Sequence, residues 1–428
     1  MFEHLLDVNH CECGKNHSLT TRDYIVEKDA LEKLPQLLQK LKVQQKPLAI
    51  YDQNTYHAAF EKLDRFLPDV DTLILQGDVI HADETQVEAI AHAAPGHSVL
   101  LAVGSGVIND TVRYVGFEQN IPTVSVPTAA SADGFVSNSS VMTFNGAKRT
   151  IPTVPPTAVV ADLEIIAAAP QKLTAAGVGD MLSKYISVAD WHVGHLIAGE
   201  YYCPFVANLE ISALDLIVKQ INGIAQRDIP SMGSLVEGLL LSGLAMQMVQ
   251  ITRPASSFEH HFSHFLDVVP MGDNIDCSAL HGEKVGIGSI IAAKYYPVFA
   301  ASLERIFKEN LSNQFSLERV HEYYKTFPQG VVDLVLKENA STATNTLDAS
   351  LLQKNFARVM DIANGIPSPK VMRDALLRVH GYTDYREIGI TPNQFRHIMK
   401  ICSYIRNRFT MLRLISDYEL FDFSTMDD

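Results

Sequence analysis

Between residue 22 and about residue 172 the chain alternates two apolar rhythms, and that alternation restricts the fold more than any other feature. The stretch LEKLPQLLQKL (31–41) has helical spacing, whereas PLAIYD, TLILQ, SVLLAVG and IPTVSVPTAA are short runs of strand character. VPPTAVVAD, from Val154 to Asp162, reads as a further strand ending at a carboxylate. Short apolar strands joined by helical segments fold as βαβ units on a parallel sheet. From about Gln171 the β-branched runs stop. SLVEGLLLSGLAMQM, VGIGSIIAAKYYPVFAASLERI and FRHIMKICSYIRNRFTMLRLI then keep a 3.6-residue apolar period, so the second half is expected to be all-helical. The expected division is an α/β domain over 1–170 and a helical domain over 171–428. ENASTATNTLDAS, near residue 340, has little to bury and reads as an exposed loop. No internal repeat is present.

With 428 residues there is ample material for a buried core. Acidic residues outnumber basic ones, 49 against 35, for a net charge of −14, and no basic run marks one face. Such a chain repels a phosphate backbone, which argues against a nucleic-acid partner. The start, MFEHLLDVNHCECGKNH, lacks the charged residues and apolar run of a secretory signal. The five cysteines, Cys11, Cys13, Cys203, Cys277 and Cys402, are few and scattered, as expected of thiols in a reducing, cytoplasmic setting. The most apolar window, Leu235 to Gln250, carries Glu237 and falls short of the roughly 20 residues needed to span a bilayer. A buried core helix, with no membrane insertion, is the expectation. Asn339-Ala340-Ser341 is a chance match to a glycosylation site. Cys11-x-Cys13, with His10 and His17 nearby, has the residue types of a metal knuckle but no second pair at matching distance, so a tight hairpin turn at Gly14 is the simpler reading.

Two groups of residues carry chemistry. After SVLLAVG comes Gly104-Ser105-Gly106-Val107-Ile108-Asn109-Asp110 and then a helix-like TVRYVGFEQ. Glycines between strand and helix let backbone amides approach a pyrophosphate at the positive end of the helix dipole. Asn109 stands where the dinucleotide fingerprint has its third glycine, and taken alone a G-x-G at a strand end is more often just a turn. Asp52, at the end of PLAIYD, is placed either to bind ribose hydroxyls, which favours NAD over NADP, or to cap the helix beginning near Asn54. These features are compatible with a Rossmann-like nucleotide-binding domain without establishing one. The second group is EHHFSHFLD (259–267), in which His260 and His264 share a helix face with Cβ atoms roughly 5–6 Å apart. His281 precedes another apolar helix, and Asp180 sits among small residues in GVGDMLSK. One carboxylate and two imidazoles form the ligand set of a catalytic metal with open positions. An i,i+4 histidine pair also arises by chance in a chain with 16 histidines, and spacing alone does not say which of them bind.

In that order, GSGVIND, PTAASADGFVS, GVGDMLSK, EHHFSHFLD and ALHGEKVG closely resemble the iron-type alcohol dehydrogenase and dehydroquinate-synthase-like superfamily. Within it they resemble the sn-glycerol-1-phosphate dehydrogenase family, over roughly residues 20 to 300. PTAASADG separates that branch from glycerol and simple alcohol dehydrogenases. The resemblance implies the dehydroquinate-synthase-like fold, an α/β nucleotide-binding domain followed by an all-α metal-binding domain. It implies a metal held by Asp180, His260 and His281, with Asp180 also near the substrate, His264 facing it, and Asp133 beside it. Gly104, Ser105, Gly106, Val107 and Ile108 would lie at the pyrophosphate, Thr128, Ala129, Ala130, Ser131 and Ser137 along the cofactor, and Asp52 at the adenosine ribose. His261 has no role in the pattern.

The implied reaction is hydride transfer at C2 between dihydroxyacetone phosphate and sn-glycerol 1-phosphate, with NAD (or NADP) and one divalent ion, zinc first and nickel or iron as alternatives. His264, with the ordinary imidazole pKa of about 6.5, suits proton relay. The implied assembly is a homodimer. Where many archaeal members carry a basic residue in the glycine loop this chain has GSGVIND, and its C-terminal part is longer; cofactor preference and assembly are left open by these departures. Lys148, Arg149 and Lys184 are the basic residues nearest the motifs, without a derivable phosphate role. The competing readings are another polyol dehydrogenase, a sugar-phosphate cyclase that regenerates its NAD within each turnover, and a non-catalytic binding module.

Overall fold

The computed structural model describes residues 7–43, 45–77, 80–144, 147–268 and 279–426; Cys277 and the side chain of Lys148 lie outside the described residues. In chain order the strands are β1 (Asp7–Val8), β2 (His17–Ser18), β3 (Asp23–Glu27), β4 (Leu48–Asp52), β5 (Asp71–Leu75), β6 (Leu100–Gly104), β7 (Thr123–Pro127), β8 (Ser139–Phe144), β9 (Ala147–Pro152) and β10 (Ala158–Asp162). Among the described residues, six of them form one parallel sheet in the order β3-β10-β7-β6-β4-β5. β6, β7 and β10 are buried at every residue. Coverage on both faces is why these strands read as continuous apolar runs without polar alternation.

The chain divides into two compact units, Met1–Met181 with Asn208–Thr252, and Leu182–Ala207 with Arg253–Asp428. The first holds the sheet and the helix Ile229–Val249. That helix begins six residues before the apolar window, because the Asp228 side chain accepts from the Ser231 amide at 2.8 Å and Pro230 suits the first turn. It is long and apolar enough to cross a membrane by length and composition, yet 83% of its apolar window is buried, as expected of a core helix.

Three features depart from the sequence reading. β3 was not expected: DYIVE carries a charge at each end, and only its ladder with β10, Asp23↔Ala158 through Glu27↔Asp162, makes it a strand. The β8–β9 hairpin, paired from Ser139↔Pro152 to Phe144↔Ala147, was missed for the same reason, its register being set by partners and not by alternation. The stretch near residue 340 is not simply exposed. Asn339, Thr342 and Thr344 are buried, and the two threonine hydroxyls donate to Asp417 Oδ2 at 2.7 and 2.6 Å.

That last contact belongs to a buried network in the second unit. Arg413 and Asp417 are both fully buried and pair at 2.9 Å, and Tyr404 donates to Asp417 Oδ1 at 3.0 Å. Arg413 also donates to the Ser403 carbonyl and to Thr342 Oγ1. Every carboxylate oxygen has a donor, so the burial cost of the charge pair is offset. Removing one partner strands the other, at about 3–5 kcal/mol. At about 2–4 °C per kcal/mol, Asp417→Ala is expected to lower the midpoint of thermal unfolding by roughly 10 °C; calorimetry showing an unchanged midpoint would refute the stabilising role of the network.

Candidate active site

The connections leave the sheet in opposite directions at β4 and β6: β4 leads outward to β5, and β6 leads the other way to β7. Ligands of open α/β sheets bind outside the carboxyl ends of the strands at such a switch point. The parallel register Leu48↔Leu100, Ala49↔Leu101, Ile50↔Ala102, continued two residues, brings Asp52 and Gly104 to that edge. Asp52 does what the alternative reading expected: its Oδ1 accepts from the Thr55 amide at 2.7 Å and caps the helix Gln53–Phe66. The helix after the glycine loop starts at Gly106, earlier than the apolar pattern suggested, with Ser105 as N-cap and no side-chain cap, so its first amides face the loop. Asn109, in place of a third glycine, donates to the carbonyls of Gly104 and Ser105, both at 3.0 Å, and fixes the loop from inside the helix. Val107 follows in that first turn, and Ile108 is buried against Gly104. Arg113, fully buried, donates to the Ser137 carbonyl and ties this helix to the next segment.

That segment is the loop after β7. Thr128, Ala129 and Ala130 are buried and Ser131 half-buried. Gly177 in the helix Gln171–Leu182 explains the packing, because a Cβ there would stand 2.0 Å from the Ala130 carbonyl oxygen. The loop lies backbone to backbone on the helix, and the Asp133 amide donates to Asp180 Oδ2 at 3.0 Å. Asp180 is fully buried. Sequence reading missed two residues here. The Ser242 hydroxyl lies 2.8 Å from Asp133 Oδ2 and 3.1 Å from Glu210 Oε1, a single proton between two carboxylates. No motif marks either residue, since both lie in apolar helices more than 70 residues from Asp133.

In the second unit the helix Phe258–Val268 packs on His281–Ser302 so closely that a Cβ on Gly288 would meet the Glu259 carbonyl oxygen at 2.8 Å. This contact gathers three imidazoles. Ring centroids of His260 and His264 are 5.7 Å apart, His260 and His281 5.2 Å, His264 and His281 5.8 Å. His260 Nδ1 lies 2.8 Å from Glu259 Oε1, a carboxylate that can only accept, so the ring's proton sits on Nδ1 and Nε2 is presented as a ligand atom. Glu259 is fully buried and also accepts from the Ser257 amide at 2.7 Å. It orients the ring, a role the spacing argument did not assign. His281 is the first residue of its helix, whose start is fixed by Glu283 accepting from the Leu280 amide at 2.8 Å, and its Nδ1 shares a hydrogen bond with Ser263 at 3.1 Å. His261 points into the interior: burial first, then the nearby Arg408, Arg413 and Arg406, holds its pKa well below the usual imidazole range. Lys184 is fully buried and donates to Ser183 Oγ and the Ala255 carbonyl, so it is no surface cation for a substrate phosphate. Arg149 is exposed.

A family model described as iron-containing alcohol dehydrogenase matches residues 25–170. The chain is 31% identical over 418 residues to a glycerol-1-phosphate dehydrogenase, NAD(P)+-dependent by name, of Bacillus licheniformis, covering 96% of this chain and 92% of that one. A protein of the same name from Thermococcus sibiricus is 33% identical over 296 residues, 68% of this chain and 79% of its own. Among solved structures, the sulfoacetaldehyde reductase of Bifidobacterium kashiwanohense in complex with NAD+ superposes with a TM-score of 0.60 at 16% identity, covering 96% and 99% of the two chains, a likeness of fold. With two curated relatives above 30% identity, one of them matched along nearly its whole length, the chain belongs to the glycerol-1-phosphate dehydrogenase family of the iron-containing alcohol dehydrogenases.

Proposed function

We propose that this chain is a metal-dependent, NAD(P)-linked dehydrogenase that interconverts dihydroxyacetone phosphate and sn-glycerol 1-phosphate by hydride transfer at C2. The observation that carries the reading is the near full-length identity with the Bacillus licheniformis protein. Residues 1–170 bind the dinucleotide and 171–428 hold metal and substrate. The donors Asp180, His260 and His281, one carboxylate and two imidazoles, suit a divalent cation with positions left for substrate oxygen. Zinc is the first candidate, nickel or iron the next. When bound, the cation supplies Lewis-acid stabilisation of the charge that develops on the C2 oxygen, and the nicotinamide supplies the hydride.

The protein's own residues do the rest. Gly104 through Ile108 present the first amides of their helix to the pyrophosphate. Thr128 through Ser131 and Ser137 line the dinucleotide. Asp52 uses one oxygen to cap its helix and offers the other to the adenosine ribose, where its charge disfavours a 2′-phosphate. Asp133, held by Ser242 and by its amide bond to Asp180, accepts from a terminal hydroxyl of the substrate. His264 takes or returns the proton of the C2 hydroxyl. The reading extends to a homodimer working in the cytoplasm.

Purified protein is expected to oxidise NADH mole for mole with dihydroxyacetone phosphate, to lose this activity on chelation, and to regain it with zinc, nickel or iron. A preference for unphosphorylated dihydroxyacetone would move the assignment to a polyol dehydrogenase. NADH absorbance left constant over many turnovers would move it to a cyclase.

The two histidines of one helix separate ligand from relay. His264→Ala should keep the wild-type metal content while losing about 10²–10⁴ in turnover, whereas His260→Ala should lose an equivalent of metal together with activity. Equal metal content and equal activity in the two variants would reject the roles given to them.

A further inference from the structure

The N-terminal hairpin carries a ligand set for which the dehydrogenase chemistry has no use. β1 and β2 pair over only two residues each, Asp7↔Ser18 and Val8↔His17, far too few to hold a hairpin in water. The expected turn is there: Gly14 adopts φ +82° and its amide donates to the Cys11 carbonyl at 2.9 Å. The turn also gathers ligands. One ligand atom from each of Cys11, Cys13 and His17 lies within 4.8 Å of the others, and Cys13 Sγ stands 3.3 Å from His17 Nε2. His17 is only 2% exposed, and its Nδ1 lies 2.8 Å from the Met248 carbonyl oxygen. A carbonyl accepts and never donates, so the ring proton is on Nδ1 and the Nε2 lone pair is aimed at Cys13. This is the second-shell arrangement that orients a metal-binding imidazole.

We propose that Cys11, Cys13 and His17 are ligands of a zinc ion. Zinc bonds of about 2.3 Å to sulfur and 2.0 Å to nitrogen set neighbouring tetrahedral ligand atoms roughly 3.5–3.8 Å apart. The Cys13–His17 separation is close to such an edge. Two thiolates and an imidazole are soft and borderline donors that select zinc over magnesium or calcium. The ion closes the hairpin on itself and holds the His17 ring, whose Nδ1 ties the hairpin to Met248 of the helix Ile229–Val249; the same helix carries Ser242 at the Asp133 carboxylate. Gln247 of the same helix donates to Thr21 Oγ1 at 3.0 Å and to the Val136 carbonyl at 2.6 Å, so the hairpin braces the scaffold of the acidic loop.

The test needs no activity and stands apart from the dehydrogenase assignment. Protein produced with zinc and purified without oxygen is analysed for metal per chain, and its zinc-edge X-ray absorption is read for sulfur at about 2.3 Å. Sulfur is the discriminating signal, because Asp180, His260 and His281 offer none. The expected result is a sulfur shell in the wild type and loss of one metal equivalent in Cys13→Ser and in His17→Ala. A wild-type spectrum without sulfur, full metal content in Cys13→Ser, or thiol titration placing Cys11 or Cys13 in a disulfide would each overturn the proposal, and the wild-type spectrum decides even if a variant does not fold.

Discussion

The loop after β7 can rest on the helix Gln171–Leu182 only because position 177 carries no side chain, and the acidic part of the candidate site depends on that contact. With the Ala130 carbonyl in the space a Cβ would take, the loop backbone lies against the helix and the Asp133 amide reaches the Asp180 carboxylate. Fixing a buried carboxylate through a main-chain amide leaves little freedom, since the amide moves only if the loop moves. Asp133 is then held a second time by Ser242, so one short loop is fastened at its backbone and at its side chain.

The second unit solves the same positioning problem with imidazoles. A helix crossing tight enough to exclude any side chain at Gly288 sets His260 and His281 within 5.2 Å, centroid to centroid. The orientation of each ring is then decided by a partner on Nδ1, Glu259 for one and Ser263 for the other. A fully buried carboxylate is costly unless donors meet it, and at Glu259 the Ser257 amide and His260 both meet Oε1, leaving Oε2 buried without a hydrogen bond. His261, one residue along, faces the interior with its protonated form disfavoured by burial, which shows how sharply the helix divides its faces.

How much of this was legible in the sequence follows from how each signal arises. The strands β4, β6, β7 and β10 were visible because burial on both faces writes itself as an apolar run, β5 by its short run TLIL although only Leu75 of it is buried, and the helical half because its period persists over tens of residues. β3 and the β8–β9 hairpin were not, because their pairing partners and not their own residues decide them. The i,i+4 pair His260 and His264 is local and was legible; Ser242 and Glu210 act on Asp133 across 109 and 77 residues of chain, and a serine in an apolar helix announces nothing. The 338–350 stretch misled in the opposite direction, its polar composition serving a buried Arg413–Asp417 pair instead of solvent.

An acidic chain with a net charge of −14 that handles a dinucleotide and a phosphorylated polyol cannot rely on its overall field, which repels both. Local donors have to reverse that sign over a few ångströms. Two conspicuous cations near the motifs are not used for it: Arg113 is committed to the Ser137 carbonyl and Asp110, and Lys184 to Ser183 and the Ala255 carbonyl. At this sheet edge, among the described residues, lies the uncapped helix start at Gly106, where amide dipoles supply positive potential without adding a mobile charge. An amide at a helix start cannot rotate away as a lysine can, so the anion proposed to bind at this edge would meet donors already fixed in place.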